Sequence, residues 1–219
     1  SDDISFTQVT FSLKEKAAFI KMSNTLLRLT DNALVEYVAK IFARKAVITE
    51  NKMILDAAKK SKTVKTLTSI DDLKAAINVT LDPAGLSNTV IVTNQDGFHF
   101  LDNQKDANER PLLQPDPTNA TRKLLFGYPV YVYSNTLLAS TQPSASAAGK
   151  APVLIGDLAD GVYAVDLEGQ IAFKTSEEAG FYSNTTVARL IEFFDAIQVD
   201  SSDKCYIYGE LEYAPKTGA

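Results

Sequence analysis

"TDNALVEYVAKIFARKAVITENKMILDAAKK", Thr30 to Lys60, decides the fold. Apolar side chains recur at Leu34/Val35, Val38, Ile41/Phe42, Val47/Ile48 and Met53/Ile54, close to the 3.6-residue period of a helix. No glycine or proline interrupts Asn32 to Lys60, and Asp31 or Asn32 can cap the first turn by accepting from its free N–H groups. The span predicts one helix of about 29 residues, roughly 40 Å long. The average globular helix has only about 11–12 residues. Glu36, Lys40, Arg44, Lys45, Glu50 and Lys52 form its polar side. Such a helix is a strut.

Upstream, Ile4–Ser23 alternates apolar and polar residues (Ile4, Phe6, then Val9, Phe11, Leu13), which predicts a strand with a bulge or bend between Phe6 and Val9. Downstream, Thr68–Asp82 reads as a second amphipathic helix capped by Ser69 and ended by a Pro83–Gly85 turn. Thr89–Thr93 reads as a buried strand, followed by a turn, a short segment holding His99 and a charged loop. "LLFGYPVYVYSN", Leu124 to Asn135, turns at Gly-Tyr-Pro and then alternates tyrosine with valine. As a strand it places Tyr131 and Tyr133 on one face and Val130 and Val132 on the other. Ala139–Pro152 is rich in small residues and reads as a surface loop. Val153–Ser176 reads as a meander or hairpin with turns at Asp160-Gly161 and Glu168-Gly169. Thr185 onward shows a helix-like apolar pattern passing into a closing strand with Cys205, Ile207 and Tyr208. No internal repeat is visible.

The chain has 219 residues, 45% of them hydrophobic and 22% charged, so a sizeable core is available. A net charge of -5 argues against a general nucleic-acid binder, which needs a basic patch. No apolar run approaches the roughly 20 residues of a membrane span, and no signal peptide opens the sequence. The sequons at Asn78, Asn119 and Asn184 are therefore read as chance matches. With one histidine and one cysteine, a His/Cys zinc site cannot be built in one chain. Ser-His-Asp chemistry would have to use His99, and Cys-His chemistry would also need Cys205. Walker, GxGxxG and HExxH motifs are missing. Carboxylate-only mechanisms survive.

Each remaining candidate has a plainer reading. His99 could pair with Asp96 or Asp102. On a strand, however, Phe98 and Phe100 would put it on the opposite face, as an exposed or hydrogen-bonded structural residue. The acidic groups Asp71/Asp72, Glu177/Glu178 and Asp102–Asp106–Glu109 could supply acid and base or hold Mg²⁺. Asp71 and Asp72 also suit the start of a helix, and the others lie in loops near basic residues. Lys204 could lower the Cys205 thiol, but an inward strand position predicts a buried structural cysteine. The tyrosine row could stack single-stranded nucleic acid, yet only Arg122 and Lys123 flank it. It reads as a packing surface. No catalytic, cofactor-binding or metal residue is assigned.

Taken in order, these pieces resemble the major capsid proteins of tailed phages and prophages that share the HK97 fold, to which encapsulins are related. "TFSLKEKAAFIKMSNTLL" is similar to the return strand of the family's extended loop, and "NALVEYVAKIFARKAVITENKMIL" to its spine helix. "TSIDDLKAAINVTL" with "SNTVIVTNQDGFHFLDNQKDANERPLLQ" resembles the axial-domain stretch. Thr93-Asn94 stands there for the usual Met-Asn, and Asn108-Glu109-Arg110-Pro111 for Gly-Arg-Tyr. "LLFGYPVYVYS" and "VLIGDLADGVYAVDLEGQIAFKTS" resemble the following strand and hairpin. The usual N-terminal arm and the outgoing half of the loop find no counterpart, which implies a trimmed or processed chain. Some members cross-link a loop lysine to a neighbour's asparagine. Lys14 and Lys16 lie in the matching strand, but nothing marks either as reactive, so that role is not carried over.

The resemblance implies an α+β chain. A peripheral domain would comprise residues 1–67, with the loop remnant and spine helix, and 182–219. An axial domain inserted at 68–181 would place the tyrosine strand near five-fold and six-fold axes. It implies a structural protein and no enzyme, without cofactor, self-assembling as pentamers and hexamers into an icosahedral shell around double-stranded DNA. Expected partners are the chain itself, then scaffold, protease and portal proteins, with no sequence-specific nucleic acid and no membrane. The expected location is the virion capsid, and the bacterial host cytoplasm during assembly. The alternatives are an encapsulin-type compartment shell or a carboxylate-dependent hydrolase.

Overall fold

A computed structural model describes residues 9–30, 33–144, 147–167, 172–200 and 202–213. Along the chain run β1 (Lys14–Ser23), α1 (Asn24–Thr30), α2 (Ala33–Lys59), β2 (Lys65–Leu67), α3 (Ile70–Ala75), β3 (Val90–Asn94) and α4 (Gln95–Asp102). Then come β4 (Leu113–Asp116), β5 (Asn119–Leu125), β6 (Tyr128–Tyr133), β7 (Gly149–Gly156), α5 (Leu158–Gly161), β8 (Val162–Asp166), β9 (Ala172–Ser176), β10 (Thr185–Gln198) and β11 (Tyr206–Tyr213). The chain divides into two compact units, Ser1–Ile54 with Ala164–Ile197, and Leu55–Tyr163 with Gln198–Ala219.

In the first unit β10 pairs with β1, β8 and β9. The β1–β10 ladder runs antiparallel from Lys14 opposite Phe194 to Ser23 opposite Thr185. Alternate side chains of β1 turn inward: Met22 is buried, Ala18 and Ile20 pack beside it, and Phe19 faces out. The helix laid on them is the expected strut, 27 residues without a break. Val38, Phe42 and Ala46 recur every fourth residue and are all buried, so one stripe of α2 faces the sheet. Phe42 meets Phe173 of β9 edge to face, ring centroids 6.0 Å apart.

The second unit is a seven-stranded mixed sheet, ordered β2-β11-β7-β3-β6-β5-β4. β11 and β2 are parallel, as are β3 and β6; β7 is antiparallel to both its neighbours. Leu73 and Ile77 pack on Ile91, Val130, Val153, Ile155, Ile207 and Leu211 to form the core. Ser69 caps α3 as expected. Its side chain accepts from the Asp72 N–H at 3.1 Å, and Asp72 Oδ2 accepts from the Ser69 N–H at 3.0 Å. After α3 the backbone continues as a π-helical turn, Ala76–Thr80, and Pro83–Asn88 is a 3₁₀ turn capped by Asp82.

Several expectations need correction. The first strand starts at Lys14; Val9–Leu13 is not strand, and Ile4, Phe6 and the expected bulge lie outside the described residues, as do Asp31, Asn32 and the Glu168-Gly169 turn. The His99 segment is helix α4, because Asn94 accepts from the Gly97 N–H at 2.9 Å and caps it. Gly149–Pro152 is not loop but the opening of β7, paired with Glu210–Tyr213 of β11, where Gly149 leaves room for the Tyr213 ring. Val153–Ser176 is no meander: β7 lies in the seven-stranded sheet, β8 and β9 on β10, and Asp160-Gly161 ends a short helix. The helix-like pattern from Thr185 is the 14-residue strand β10.

Candidate functional site

The structure distributes the sequence candidates over separate local tasks. His99 is exposed on α4, its ring beside the Asn103 amide at 3.1 Å. Asp102 is ion-paired to Lys123. Asp106 accepts from the N–H groups of Asn108 and Arg110 at 2.8 and 2.9 Å and from Arg110 Nε at 2.9 Å. Those bonds, the Arg110 N–H first among them, hold its carboxyl below the usual range. Glu109 sits at φ 62 in the same turn. The neighbouring pocket of about 400 Å³, lined by Asp106, Arg110, Leu112, Gln114 and Phe126, carries one carboxylate, and that one is already engaged by Arg110.

Asp71 pairs with Lys74 at 3.8 Å, and Asp72 is consumed by the capping box. Glu177 and Glu178 begin an exposed turn. Among the described residues, no three His, Cys, Asp or Glu side chains come together to hold a metal ion. Cys205 is half-buried one residue before β11 rather than within a strand, and its thiol donates to the Asp157 carbonyl at 3.2 Å. Burial pushes it up to about 11, against Lys204 acting as an activator.

The tyrosine strand β6 is partly wet, as its side chains predict, though Val132 is as exposed as Tyr131 while Val130 is buried. From β5, Arg122 donates to the Tyr131 hydroxyl of β6 at 3.2 Å and to Asp116 of β4 at 2.7 Å. Arg122 is thus engaged within the sheet and Lys123 by Asp102 of α4.

Two clusters escape the sequence reading. Glu192 points inward from β10, is buried, and hydrogen-bonds Glu50 on α2, while its second oxygen has no partner. Burial first, then Glu50, raises it to about 7. The second cluster is an exposed apolar surface on the first unit, where Leu29, Phe181 and Tyr182 stand in solvent. The pattern Gly-Phe-Tyr-Ser-Asn at 180–184, two rings inside a turn, is the signal that could have found it.

A long helix on an antiparallel sheet, joined to a seven-stranded mixed sheet inserted between its strands, is the HK97-like α+β fold of shell subunits. Comparison with solved structures agrees. The capsid of an empty GTA particle is similar at TM-score 0.66 and 17% identity, covering 98% of this chain and 79% of that one. The mature capsid of bacteriophage PhiM1 gives 0.60 and 10%, covering 98% and 78%. The holo-SrpI encapsulin complex from Synechococcus elongatus PCC 7942 gives 0.60 and 10%, covering 94% and 75%. No curated protein matches in sequence. The chain belongs to the Phage capsid family, whose profile matches residues 1–202. It is a structural capsid protein.

Proposed function

We propose that this chain is the major head protein of a tailed phage or prophage, and that copies of it form the pentamers and hexamers of an icosahedral shell around double-stranded DNA. What supports this reading is the family match over residues 1–202. The unit carrying α2 and β10 would serve as the peripheral domain, and the seven-stranded unit as the axial domain near the symmetry axes. A net charge of -5 suits a container that leaves its packaged DNA loose, since tight binding would need many lysine and arginine contacts to phosphates. Assembly would take place in the host cytoplasm with scaffold, protease and portal proteins as partners.

Negative-stain microscopy of the full chain, alone and with a scaffold, tests this. Closed shells, rings or sheets are expected; a monomer at every concentration under both conditions overturns it. An encapsulin-type compartment is the second reading, motivated by the encapsulin likeness. Nuclease-protected genomic DNA inside particles from producing cells favours the phage head, and protein cargo without DNA favours the compartment.

A further inference from the structure

Two aromatic rings stand in solvent on a turn built to keep them there. Phe181 is 80% exposed and Tyr182 103%, the rings edge to face with centroids 5.8 Å apart. The turn that carries them, Glu178–Ser183, is tightly bonded. The Gly180 N–H donates to Glu177 O at 3.2 Å, the Asn184 N–H to Phe181 O at 3.3 Å, and Ser183 Oγ to Gly180 O at 3.2 Å. Gly180 is buried so closely on β10 that a Cβ would lie 1.8 Å from the Thr185 carbonyl oxygen. Asn184 closes the turn at φ 51, and its carbonyl and side-chain oxygens each accept from Asn24 of α1 at 3.1 Å. Burying a ring of this size is worth about 1.5–3 kcal/mol. A fold that fixes two of them outside leaves that free energy for another surface.

Beside this prong lies a receptacle. Asn24, Thr25, Arg28, Leu29 and Asn184 line a pocket of about 190 Å³. That volume is comparable to the roughly 150 Å³ that holds one benzene ring. Leu29 is 78% exposed, giving the pocket an apolar wall. Arg28 puts positive charge on its rim, opposite in sign to Glu177 and Glu178 at the base of the prong. The chain's own rings leave the pocket unfilled, as their exposure shows. A knob and a hole side by side on one unit fit a head-to-tail contact, in which each copy fills the next and the series closes or extends.

We propose that the Phe181–Tyr182 prong of one subunit seats in the α1 pocket of a second copy, with Glu177 and Glu178 meeting Arg28 at the rim. This rests on the shell-forming reading and names one contact within it. In the full chain, the pair F181A/Y182A should raise the concentration at which particles appear by about 30-fold or more, the loss typical of a central aromatic anchor. R28E and E177R/E178R should each weaken assembly about tenfold, and the combined variant should recover it. Independently, L29C with Y182C should cross-link between subunits on oxidation, giving multimers on a denaturing gel. Wild-type particles with F181A/Y182A assembling at the same concentration overturn the contact and leave the shell reading standing. Cross-linked material confined to the monomer band also overturns it. A wild type that forms no particles removes the shell reading itself, and this contact with it.

Discussion

The Tyr206 hydroxyl donates to the Ala58 carbonyl at 2.9 Å, tying the first residue of β11 to the last turn of α2. Gln198 Nε2 donates to the Tyr206 hydroxyl oxygen at 2.7 Å, and the Lys62 ammonium lies 4.0 Å from the Tyr206 ring centroid. The ring is fully buried, which pushes its hydroxyl up to about 12. Y206F keeps the ring but removes the donor to the buried Ala58 carbonyl, while Gln198 Nε2 retains its bond to the Asp200 carbonyl at 3.3 Å, so it should destabilise by about 1–3 kcal/mol in urea denaturation. A loss below ~0.5 kcal/mol would show that water replaces the hydroxyl.

Glu192 should make the first unit sensitive to pH. Its folded value of about 7 stands above the ordinary 4.5, so over that window the fold holds a proton that the unfolded chain releases. The group's contribution is therefore complete below pH 4.5 and lost as pH rises through 7. Glu50, Asp166, Lys16 and Lys45 are the charges around it. E192Q should be more stable than wild type at pH 8 by on the order of 1 kcal/mol, with the gap closing at pH 4.5. Equal denaturation midpoints at pH 8 would refute the assignment.

Asp116 behaves oppositely. Hydrogen bonds from Thr118, then Arg122, hold its carboxyl down to about 2 against an ordinary 3.8. Its contribution is present above pH 3.8 and disappears as pH falls through 2. Amide exchange at Thr118, whose N–H donates to Asp116 at 2.8 Å, should accelerate across that range in wild type. In D116A, which removes the acceptor, it should already be fast at pH 5. Unchanged protection in the variant would contradict this.

Gly97 is a helix residue that alanine should not replace. Alanine is intrinsically better there by about 1 kcal/mol. A Cβ, however, would lie 2.1 Å from Thr93 Oγ1, which donates to the Pro152 carbonyl at 2.9 Å. G97A should lower the thermal midpoint, by about 1–3 kcal/mol of stability. T93A/G97A should recover part of that loss beyond additivity. A stabilised G97A would mean the helix shifts freely.

Cys205 should be inert. With its thiol at about 11 instead of 9, the thiolate fraction at pH 8 falls roughly 100-fold. Native protein should react with a maleimide at least that much more slowly than urea-unfolded protein. Comparable rates would refute the burial argument.

The strut and the capped helix were legible because each rests on local rules: a buried stripe every fourth residue in α2, and a Ser69–Asp72 reciprocal cap. β10 was not. Ala188, Leu190, Glu192 and Phe194 share its buried face, while Val187, Ile191 and Phe193 cover much of the other. Apolar residues on both faces and a carboxylate turned inward erase the period of two. α4 was misread because Phe98-His99-Phe100 imitates strand alternation, and the Asn94 cap that overrules it is a tertiary hub, also donating to the Leu138 carbonyl at 2.8 Å. Gly149–Pro152 looked like loop because small residues mark both flexible chain and tight passage. Only the Tyr213 ring, which leaves no room for a Cβ at Gly149, tells them apart. The prong and its pocket join residues 24–29 to 177–184, a pairing that no window of sequence contains.

The place of β11 sets a clock on synthesis. A ribosome that has released Gly156 has delivered β2, β3, β6 and β7, but not the strand that belongs between β2 and β7. Until residues 206–213 emerge, β7 offers a bare edge of backbone donors and acceptors to any nascent neighbour on the same polysome.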